Sequence, residues 1–402
     1  MKVLYLANGL PHYFNLVLSK LNASPDLEVL VVAPRGPGRN IGAGVFQSRE
    51  GIHFRIVELD EYANKLFAGF RGLPRLLLRE RPDVVVFPEY MVTGFFLHPG
   101  LLLARALTGV QLVQKSIPFM LPDYPEALKQ LREAPPAPRT WFGKLLLAAG
   151  IRGLLLRCML EIRAYCYRKL DAHVNYIDAA REVYGSYGVA RDRICVTRNS
   201  PDTDAMARTE SELRTAGMVP QRKARRLLHV GRLVEEKRVD LLLNAMPRVV
   251  AALPGSELVI VGDGPLRASF ENLAEKLGIR ESVQFTGPVY DPSELGRQFL
   301  SASLFVLPGL GGLSINEAMF YRLPIICAVG DGTERFLVRD GYNGSYFRPG
   351  DSVSLADAII KLMSDAHELE QMGARSREII DREVNIHTVV DAYRKAFSLA
   401  CA

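Results

Sequence analysis

Short apolar runs alternate with segments of helical periodicity along nearly the whole chain. In the first half the runs cover residues 3–7, 29–33, 54–57, 84–87, 111–114 and 173–176. In the second half they cover residues 227–230, 258–261, 283–286, 304–307 and 325–328. Runs of four or five residues rich in Val and Ile predict strands that are buried on both faces of a parallel sheet. Because helical segments separate these strands, the chain is predicted to be an α/β protein.

Two series of this length predict two Rossmann-like domains, each with a parallel sheet, facing a central cleft. The strand pattern stops over residues 199–226, where polar residues and prolines take over. We therefore expect a first domain over residues 1–200 and a second domain that begins at residue 201. A chain of 402 residues is long enough for both, since a domain typically takes roughly 100–200 residues.

Charge is distributed unevenly between the two halves. The chain has 48% apolar and 23% charged residues, which excludes disorder as its main state. Residues 1–200 contain 26 Lys and Arg against 17 Asp and Glu, whereas residues 201–402 contain 24 against 27. A basic first half predicts an anionic partner, such as nucleic acid, an acidic membrane surface or a phosphorylated substrate. No nucleic-acid-binding motif accompanies the basic residues, so we expect no nucleic acid.

Residues 118–170 depart from a plain alternation of strands and helices. Residues 118–140 are rich in proline, and residues 141–170 predict one or two helices with interspersed Lys and Arg. Two interpretations remain open for these helices. One is a core helix with a solvated basic face, and the other is a basic amphipathic surface that rests on anionic lipid head groups.

The five cysteines are widely spaced and form no C-x-x-C pair, so neither a zinc site nor a disulfide framework is predicted. This cysteine usage predicts a reducing, cytoplasmic compartment. No apolar stretch reaches the roughly 20 residues of a membrane-spanning helix, so we expect no transmembrane segment. Peripheral attachment to the inner face of the cytoplasmic membrane is a further expectation.

The first candidate for chemistry is the segment of residues 227–237. A predicted strand ends at Gly231, and Arg232 and Lys237 follow in the next turn and helix start. Two cations at the carboxyl end of a strand suit a diphosphate. The alternative is ordinary surface charge on an exposed helix.

A glycine-rich loop forms the second candidate. Residues 308–312 read Pro-Gly-Leu-Gly-Gly after a strand, and a helix is predicted to open near Ser314. Ser314 and Glu317 match a capping box, so Glu317 has a structural interpretation beside a functional one as an acceptor for sugar hydroxyls. An earlier turn, Gly262-Asp263-Gly264, lets the backbone approach a ligand. Neither a P-loop nor a dinucleotide fingerprint occurs.

Together these segments resemble the donor-binding domain of GT-B glycosyltransferases, in particular the retaining family 4. The shared landmarks, which occur in the family's order, are Gly231-Arg232 with Lys237, residues 261–265, 285–287 and 312–319, Pro324 and residues 340–344. The resemblance implies the GT-B architecture, with a last helix over residues 385–402 that completes the first domain and a donor domain over residues 201–384. The first half matches less closely, through Asn8-Gly9 and residues 199–202.

The resemblance also implies roles for individual residues. Arg232 and Lys237 would bind the donor diphosphate, Glu317 the ribose hydroxyls, and Val289 would lie near the nucleobase. The other implied donor-binding residues are Gly231, Gly262, Gly309, Gly311, Gly312, Leu313 and Ser314. The acceptor-side candidates in the first domain are Gly9, His12, Glu89, Lys115 and Ser116.

Two positions depart from the family pattern. Gly309 stands where the family has the first of two glutamates, which usually contacts the transferred sugar. Lys115-Ser116 aligns with an acceptor-side histidine, and a lysine there suits an anionic donor or acceptor. Asp202-Thr203-Asp204 matches a metal-binding D-x-D pattern but sits at the predicted interdomain connection, so we expect no metal and no cofactor.

The leading hypothesis is therefore a retaining glycosyltransferase, which takes a sugar from a nucleotide-sugar donor to a glycan or polyprenyl-linked acceptor, as in bacterial polysaccharide or lipid-linked oligosaccharide assembly. A second hypothesis is another GT-B enzyme acting on nucleotide sugars, such as an epimerase. A third is a non-catalytic protein that binds nucleotide sugars.

Overall fold

The structure is a computed structural model and describes residues 1–36, 49, 51–63, 68–116, 121–133, 152–330 and 332–402. The chain divides into two units, of which one comprises Met1–Arg198 with Val389–Ala402 and the other Asn199–Thr388. Most of the proline-rich segment over residues 118–140, and residues 141–151 of the predicted helical segment, lie outside the described residues.

The first unit contains a parallel sheet covered by helices. Its strands are β1 (Lys2–Leu6), β2 (Glu28–Pro34), β3 (Arg55–Leu59), β4 (Glu61–Ala63), β5 (Ala68–Phe70), β6 (Val84–Pro88), β7 (Gln111–Lys115), β8 (Ala172–Asn175) and β9 (Ile194–Val196). Its helices are α1 (His12–Asn22), α2 (Leu73–Glu80), α3 (Val92–Leu97), α4 (Pro99–Thr108), α5 (Tyr124–Glu133), α6 (Arg152–Arg168) and α7 (Ala180–Ser186).

The second unit has the same layered organisation. Its strands are β10 (Arg226–Val230), β11 (Glu257–Val261), β12 (Val283–Gly287), β13 (Leu304–Leu307), β14 (Ile325–Cys327) and β15 (Gly344–Tyr346). The helices that follow Arg198 are α8 (Thr203–Thr215), α9 (Val239–Ala252), α10 (Arg267–Lys276), α11 (Pro292–Ser301), α12 (Ser314–Phe320), α13 (Glu334–Leu337), α14 (Ser352–Met363), α15 (Ala366–Glu383) and α16 (Ile386–Cys401). From Val389 onward α16 belongs to the first unit.

Both sheets are parallel and reverse their strand order once. The first has the order β3-β2-β1-β6-β7-β8-β9 and the second the order β12-β11-β10-β13-β14-β15. In the register Tyr5 pairs with Val31 on one side and Val86 on the other, and Leu228 pairs with Val259 and Phe305. The central strands are buried on both faces, as their uninterrupted Val, Ile and Leu predict.

The apolar runs correctly predicted the six long strands of the first sheet and the first five strands of the second. The pattern missed β9 and β15, which are three-residue edge strands, and the small antiparallel pair β4-β5. Edge strands are covered incompletely, so they need no continuous apolar run. Among the described residues no single helix is long and apolar enough to cross a bilayer, while one bent pair, Glu89–Leu97 with Pro99–Thr108, passes on length and composition.

One glycine in the second unit permits a close contact between a helix and a loop. Gly373 lies in α15, and a Cβ at this position would overlap the carbonyl oxygen of Arg322. Arg322 itself has a positive φ of 60° at the end of the turn that follows α12. Because backbone rather than a movable side chain occupies the space, α15 must shift if residue 373 carries a side chain.

We therefore predict opposite effects for two Gly→Ala substitutions in helices. Gly373→Ala should lower the free energy of unfolding by about 1–3 kcal/mol, because the added methyl group overpacks the contact. Gly185→Ala in α7, where nothing lies within 4 Å of the new Cβ, should leave it unchanged or raise it by up to about 1 kcal/mol. Thermal denaturation of both variants measures this, and equal melting temperatures would contradict the close contact.

Candidate functional site

The strand order of the second sheet places a candidate site between β10 and β13. These strands are neighbours, and the chain leaves them toward opposite ends of the sheet. In open α/β sheets the loops at such a reversal diverge and leave a crevice at the carboxyl ends of the strands, where ligands bind. The loops here are residues 231–238 and residues 308–313, which contain the predicted cations and the glycine-rich segment.

The loop after β10 lies against the loop after β11 through two glycines. A Cβ on Gly262, whose φ is 137°, would lie 2.9 Å from the carbonyl carbon of Gly231. A Cβ on Gly264 would lie 2.8 Å from the backbone nitrogen of Leu233. Backbone hydrogen bonds complete this contact, since Gly231 N donates to Val261 O at 3.0 Å and Leu233 N donates to Asp263 O at 2.9 Å. The Gly262-x-Gly264 turn thus has a structural role.

On its other side the same loop lies against the glycine-rich loop. Leu310 N donates to the carbonyl oxygen of Glu236 at 2.8 Å. A Cβ on Gly309 would overlap that oxygen and lie 2.6 Å from the carbonyl carbon of Lys237. The structure therefore gives a steric reason for glycine at position 309, which the sequence presented only as a departure from the family pattern.

Lys237 joins the two loops through its side chain. It ends the one-turn helix Glu235–Lys237, and its Nζ donates to the carbonyl oxygens of Leu310 at 2.8 Å and Gly311 at 2.6 Å. Gly312 follows directly, and a Cβ there would lie 3.3 Å from the same Nζ. Arg232 lies exposed at the start of the loop. The cation of Lys237 is thus held on the glycine-rich loop.

Glu317 lies one turn into α12 and is partly buried. Among the described residues no side chain gives its carboxylate a hydrogen bond or an ion pair, and burial raises its pKa to about 7. A desolvated carboxylate without donors gains from hydroxyl groups that a ligand supplies. This environment is consistent with the ribose contact implied by the resemblance.

The capping box predicted for Ser314 and Glu317 is wrong. The N-cap of α12 is Leu313, Ser314 is the first helical residue, and no side chain caps the helix. The S-x-x-E spacing misled because the loop enters the helix one residue earlier than a serine cap requires. The first amides of α12 thus receive no side-chain cap, and amides of a first turn have no acceptor within their helix.

The remaining implied donor residues are spread along the carboxyl ends of the strands. Gly311 is buried, Gly312 is exposed, and Val289, just past β12, packs against the apolar cluster that contains Val261 and Leu307. Val289 thus follows β12, as the implied contact with a nucleobase requires. Its packing in the apolar cluster explains the residue equally well without a ligand.

Sequence analysis missed His229, which lies on β10 directly below the loop. It is fully buried, its Nδ1 lies 3.0 Å from Val306 O, and its Nε2 lies 3.2 Å from where a Gly231 Cβ would stand. Burial and, to a smaller extent, the charge of Lys237 lower its pKa to about 4, so the imidazole is neutral at pH 7. A polar residue in an otherwise apolar strand, two positions before Gly231, was the available signal.

In the first unit, polar residues collect at the equivalent reversal between β1 and β6. Tyr90 Oη donates to Asn8 Oδ1 at 2.6 Å and to Glu61 Oε1 at 3.3 Å. Gly9 follows Asn8 and is buried, and Glu89 accepts a hydrogen bond from the hydroxyl of Tyr167. Gly9 and Glu89 therefore both lie at the carboxyl edge of this sheet. His12 is the first residue of α1, and its side chain lies outside the description.

Lys115 and Ser116 follow β7 but enter different surroundings. The Nζ of Lys115 lies 3.1 Å from the ring centroid of Phe14, with the rings of Tyr5 and Tyr393 within 6 Å. Burial lowers the pKa of Lys115 to about 7. This apolar setting disfavours the cationic form that a contact with an anionic acceptor requires.

Ser116 belongs to a buried hydrogen-bond chain on the opposite face of the sheet. Tyr184 Oη donates to Ser116 Oγ at 2.6 Å, and Ser116 Oγ donates to Asn175 Oδ1 at 2.5 Å. Gln114 Nε2 donates to Tyr184 Oη at 2.8 Å. The serine hydroxyl is therefore used inside the first unit, which supports a structural role.

The D-x-D pattern of residues 202–204 also has a structural role. Asp202 caps α8, where its Oδ1 accepts hydrogen bonds from Asp204 N at 3.1 Å and Ala205 N at 3.0 Å. Asp204 Oδ1 lies 2.8 Å from His387 Nε2. Both carboxylates thus have protein partners.

Residues 218–379 match the family described as glycosyl transferases group 1. The second unit carries a glycosyl transferases group 1 domain. The matched range contains both loops of the crevice and ends within α15, so the group 1 domain includes Arg232, Lys237 and Glu317.

Individual relatives extend the comparison. The chain is 33% identical over 151 residues to an exopolysaccharide phosphotransferase from Streptomyces coelicolor. This match covers 37% of this chain and 16% of that protein. The chain is also 31% identical over 219 residues to D-inositol 3-phosphate glycosyltransferase from Nocardia farcinica, which covers 50% and 47%. The chain thus spans less than half the length of these two curated relatives.

The fold is shared over the whole chain with a solved structure. Anabaena HepE in complex with UDP superposes with a TM-score of 0.68 and covers 99% of this chain and 100% of its own, at 18% identity. This similarity establishes the GT-B fold.

The contact at Gly309 predicts that a small side chain there is already harmful. Gly309→Ala should lower the melting temperature, because the methyl group separates the two loops and moves Lys237. Gly312→Ala is the matched control, since its Cβ meets only the movable end of Lys237 and should leave the melting temperature near that of the wild type. If both variants melt like the wild type, the loops are not in contact as described. Gly309→Glu, a direct test of the missing glutamate, would combine this clash with any effect on a sugar.

The raised pKa of Glu317 predicts a stability that depends on pH. The unfolded carboxyl ionises near its ordinary value of 4.5 and the folded one near 7. The unfolded state therefore releases its proton first, and stability falls as pH rises from 4.5 toward 7. A glutamine at this position cannot ionise, so Glu317→Gln should not lose this part of its stability as pH rises. The variant should therefore be more stable than the wild type at pH 8.

Melting temperatures of the ligand-free protein between pH 4.5 and 8 measure the effect. Glu275→Gln, at an exposed position in α10, is the matched control and should follow the wild-type profile. A Glu317→Gln profile that is parallel to the wild type would contradict a desolvated carboxyl at this position.

Proposed function

We propose that this protein is a retaining glycosyltransferase that uses a nucleotide-sugar donor. The observation that carries the proposal is the fixed position of Lys237 on the glycine-rich loop, beside Arg232, where the sheet reverses its order. Two cations at this position suit a diphosphate. The Anabaena protein with the same fold was solved with UDP-glucose, which supports this donor class.

In the proposed reaction, the bond between the anomeric carbon and the diphosphate oxygen breaks, and its electron pair goes to the diphosphate. The acceptor hydroxyl bonds to the same face of the anomeric carbon, and its proton passes to a diphosphate oxygen. Negative charge grows on the leaving group, so Arg232 and Lys237 stabilise the transition state more than the bound donor. Glu317 positions the nucleoside by accepting hydrogen bonds from the ribose.

We further propose that the reaction needs no metal ion. Arg232 and Lys237 supply the positive charge that a divalent cation would otherwise bring to the diphosphate. Asp202 caps α8, so it does not stand in for a metal-binding carboxylate. Undiminished turnover in the presence of EDTA tests this statement, and restoration of lost activity by Mg²⁺ or Mn²⁺ would contradict it.

The acceptor we propose is a glycan or a polyprenyl-linked glycan in the assembly of a cell-surface polysaccharide, on the cytoplasmic side of the membrane. The exopolysaccharide relative supports the pathway, and the five free cysteines support a reducing compartment. Asn8, Tyr90 and Glu89 offer hydrogen-bonding groups to sugar hydroxyls at the edge of the first sheet.

The donor is identified by thermal shift with UDP, GDP, ADP, CMP and dTDP sugars, because a ligand present at 100 times its Kd adds about 2.7 kcal/mol of stability. Incubation of that donor with glycan and polyprenyl-linked acceptors, followed by NMR of the new anomeric proton, tests transfer and retention. Conversion of the donor to another nucleotide sugar without acceptor would instead indicate an epimerase. Binding without any turnover would indicate a non-catalytic protein.

Arg232→Ala and Lys237→Ala should each lower turnover by about 10²–10³, the cost of removing one preorganised electrostatic stabiliser in other enzymes. The matched controls are Arg248→Ala and Lys361→Ala, which remove a cation from helices α9 and α14 of the same unit and should leave turnover within about twofold. Initial rates at saturating donor and melting temperatures are compared for all four. Near-normal turnover in both Arg232→Ala and Lys237→Ala would mean that the donor site lies elsewhere.

A further inference from the structure

Helix α6 of the first unit has two apolar faces instead of one. One face packs inward through Leu160, Ala164 and Tyr167. A second set of large apolar side chains is exposed, and we call it the apolar ridge. The ridge consists of Leu154, Leu155, Met159, Ile162 and Tyr165.

The ridge lies opposite the face that packs into the core. At about 100° per residue, positions 155, 159 and 162 fall on the far side of the helix from 160 and 164. A surface helix normally places charged and polar residues there. Leu154 is nevertheless 64% exposed and Tyr165 is 53% exposed. The exposed side of this helix is therefore apolar as well as basic.

Basic residues flank the ridge on both sides. Arg157 and Arg168 fall on one flank and Arg163 on the other, and all three are exposed. Lys169 follows the helix, with its Nζ 5.6 Å from the ring centroid of Tyr165. The exposed acid of the helix, Glu161, accepts a hydrogen bond from the hydroxyl of Tyr124. The exposed side of α6 thus combines an apolar centre with positively charged edges.

A neighbouring helix repeats the exposed apolar pattern. Leu102, Leu103 and Leu107 of α4 are exposed, Leu107 to 61%. Helices α4 and α6 both pack against α3, whose last residue, Leu97, is exposed as well. Isolated apolar residues on a surface are ordinary, but grouped ones indicate an interaction site.

We infer that the exposed face of α6 is a docking surface for an anionic lipid bilayer. The helix lies in the plane of the interface, with the apolar ridge among the acyl chains and the flanking arginines at the level of the head groups. The positive charge of the flanks favours a bilayer over a second copy of the chain. A second copy of the chain related by a twofold axis would bring the same ridge and the same basic flanks together, so like charges would oppose each other. Anionic lipid head groups complement them.

This inference gives the proposed glycosyltransferase a membrane surface as its partner. Only the reason for docking, which is access to a lipid-linked acceptor, rests on the proposed function. Its test needs neither donor nor acceptor. A protein that binds vesicles but transfers no sugar refutes the proposed function alone, and one that transfers sugar but binds no vesicles refutes the docking surface alone.

The experiment is co-sedimentation of the full chain with phosphatidylcholine vesicles, with and without phosphatidylglycerol, at low salt. The wild type should bind the anionic vesicles and lose binding as salt is raised, because head-group attraction is screened. Met159→Ser/Ile162→Ser should reduce the partition coefficient more than tenfold. The matched control is Met218→Ser/Val353→Ser, which changes equally exposed apolar residues of the second unit and should bind like the wild type.

The charge of the flanks is tested separately. Arg157→Gln/Arg163→Gln should weaken binding to anionic vesicles by about 30-fold, since each basic residue near such a surface contributes about fivefold. Equal melting temperatures for all variants show that folding is intact. Two results would overturn the inference. One is the absence of vesicle binding by the wild type. The other is a dimer in solution that the Met159→Ser/Ile162→Ser variant dissociates, which would assign the ridge to a second copy.

Discussion

The backbone of residues 231–238 is enclosed by glycines that belong to neighbouring loops. Gly262 and Gly264 lie against one side of this segment and Gly309 lies against the other, each at a distance that leaves no room for a Cβ. A protein interior is nearly incompressible, so contacts of this kind fix a position rather than merely favour it. The segment that bears Arg232 and Lys237 is held in this way before any ligand arrives.

This rigidity determines the electrostatics of the site. Lys237 is bound to two carbonyl oxygens of the glycine-rich loop, which keep its ammonium in place without neutralising it. Glu317 is desolvated, and the pKa of His229 is low enough to leave that residue neutral below the loop. Preorganised charge of this kind costs no reorganisation when negative charge develops on a leaving group. The same loops thus explain both the stability of the site and the chemistry proposed for it.

Local sequence was sufficient for six strands of the first sheet, for five of the second and for the positions of the candidate loops, because apolar runs and strand-end glycines act over a few residues. It was insufficient for contacts between distant residues. Lys237 meets Leu310 across 73 positions, and no periodicity reports such a pair. Gly309 was therefore understood only as a missing carboxylate. The prediction of a capping box at Ser314 failed although the motif is local. The S-x-x-E spacing is correct, but it does not report at which residue the preceding loop becomes helical.

The central claim is that the Gly231–Arg238 segment binds a diphosphate through its cations. The most direct test is calorimetric titration of the full chain with the nucleoside diphosphate that it prefers and, separately, with the corresponding monophosphate. Both titrations are done on the wild type and on Lys237→Ala. A hydrogen bond to a charged group contributes about 1.5–3 kcal/mol, so the wild type should prefer the diphosphate by more than tenfold. Lys237→Ala should lose most of that preference while it binds the monophosphate almost normally. An unchanged preference in the variant would contradict the account.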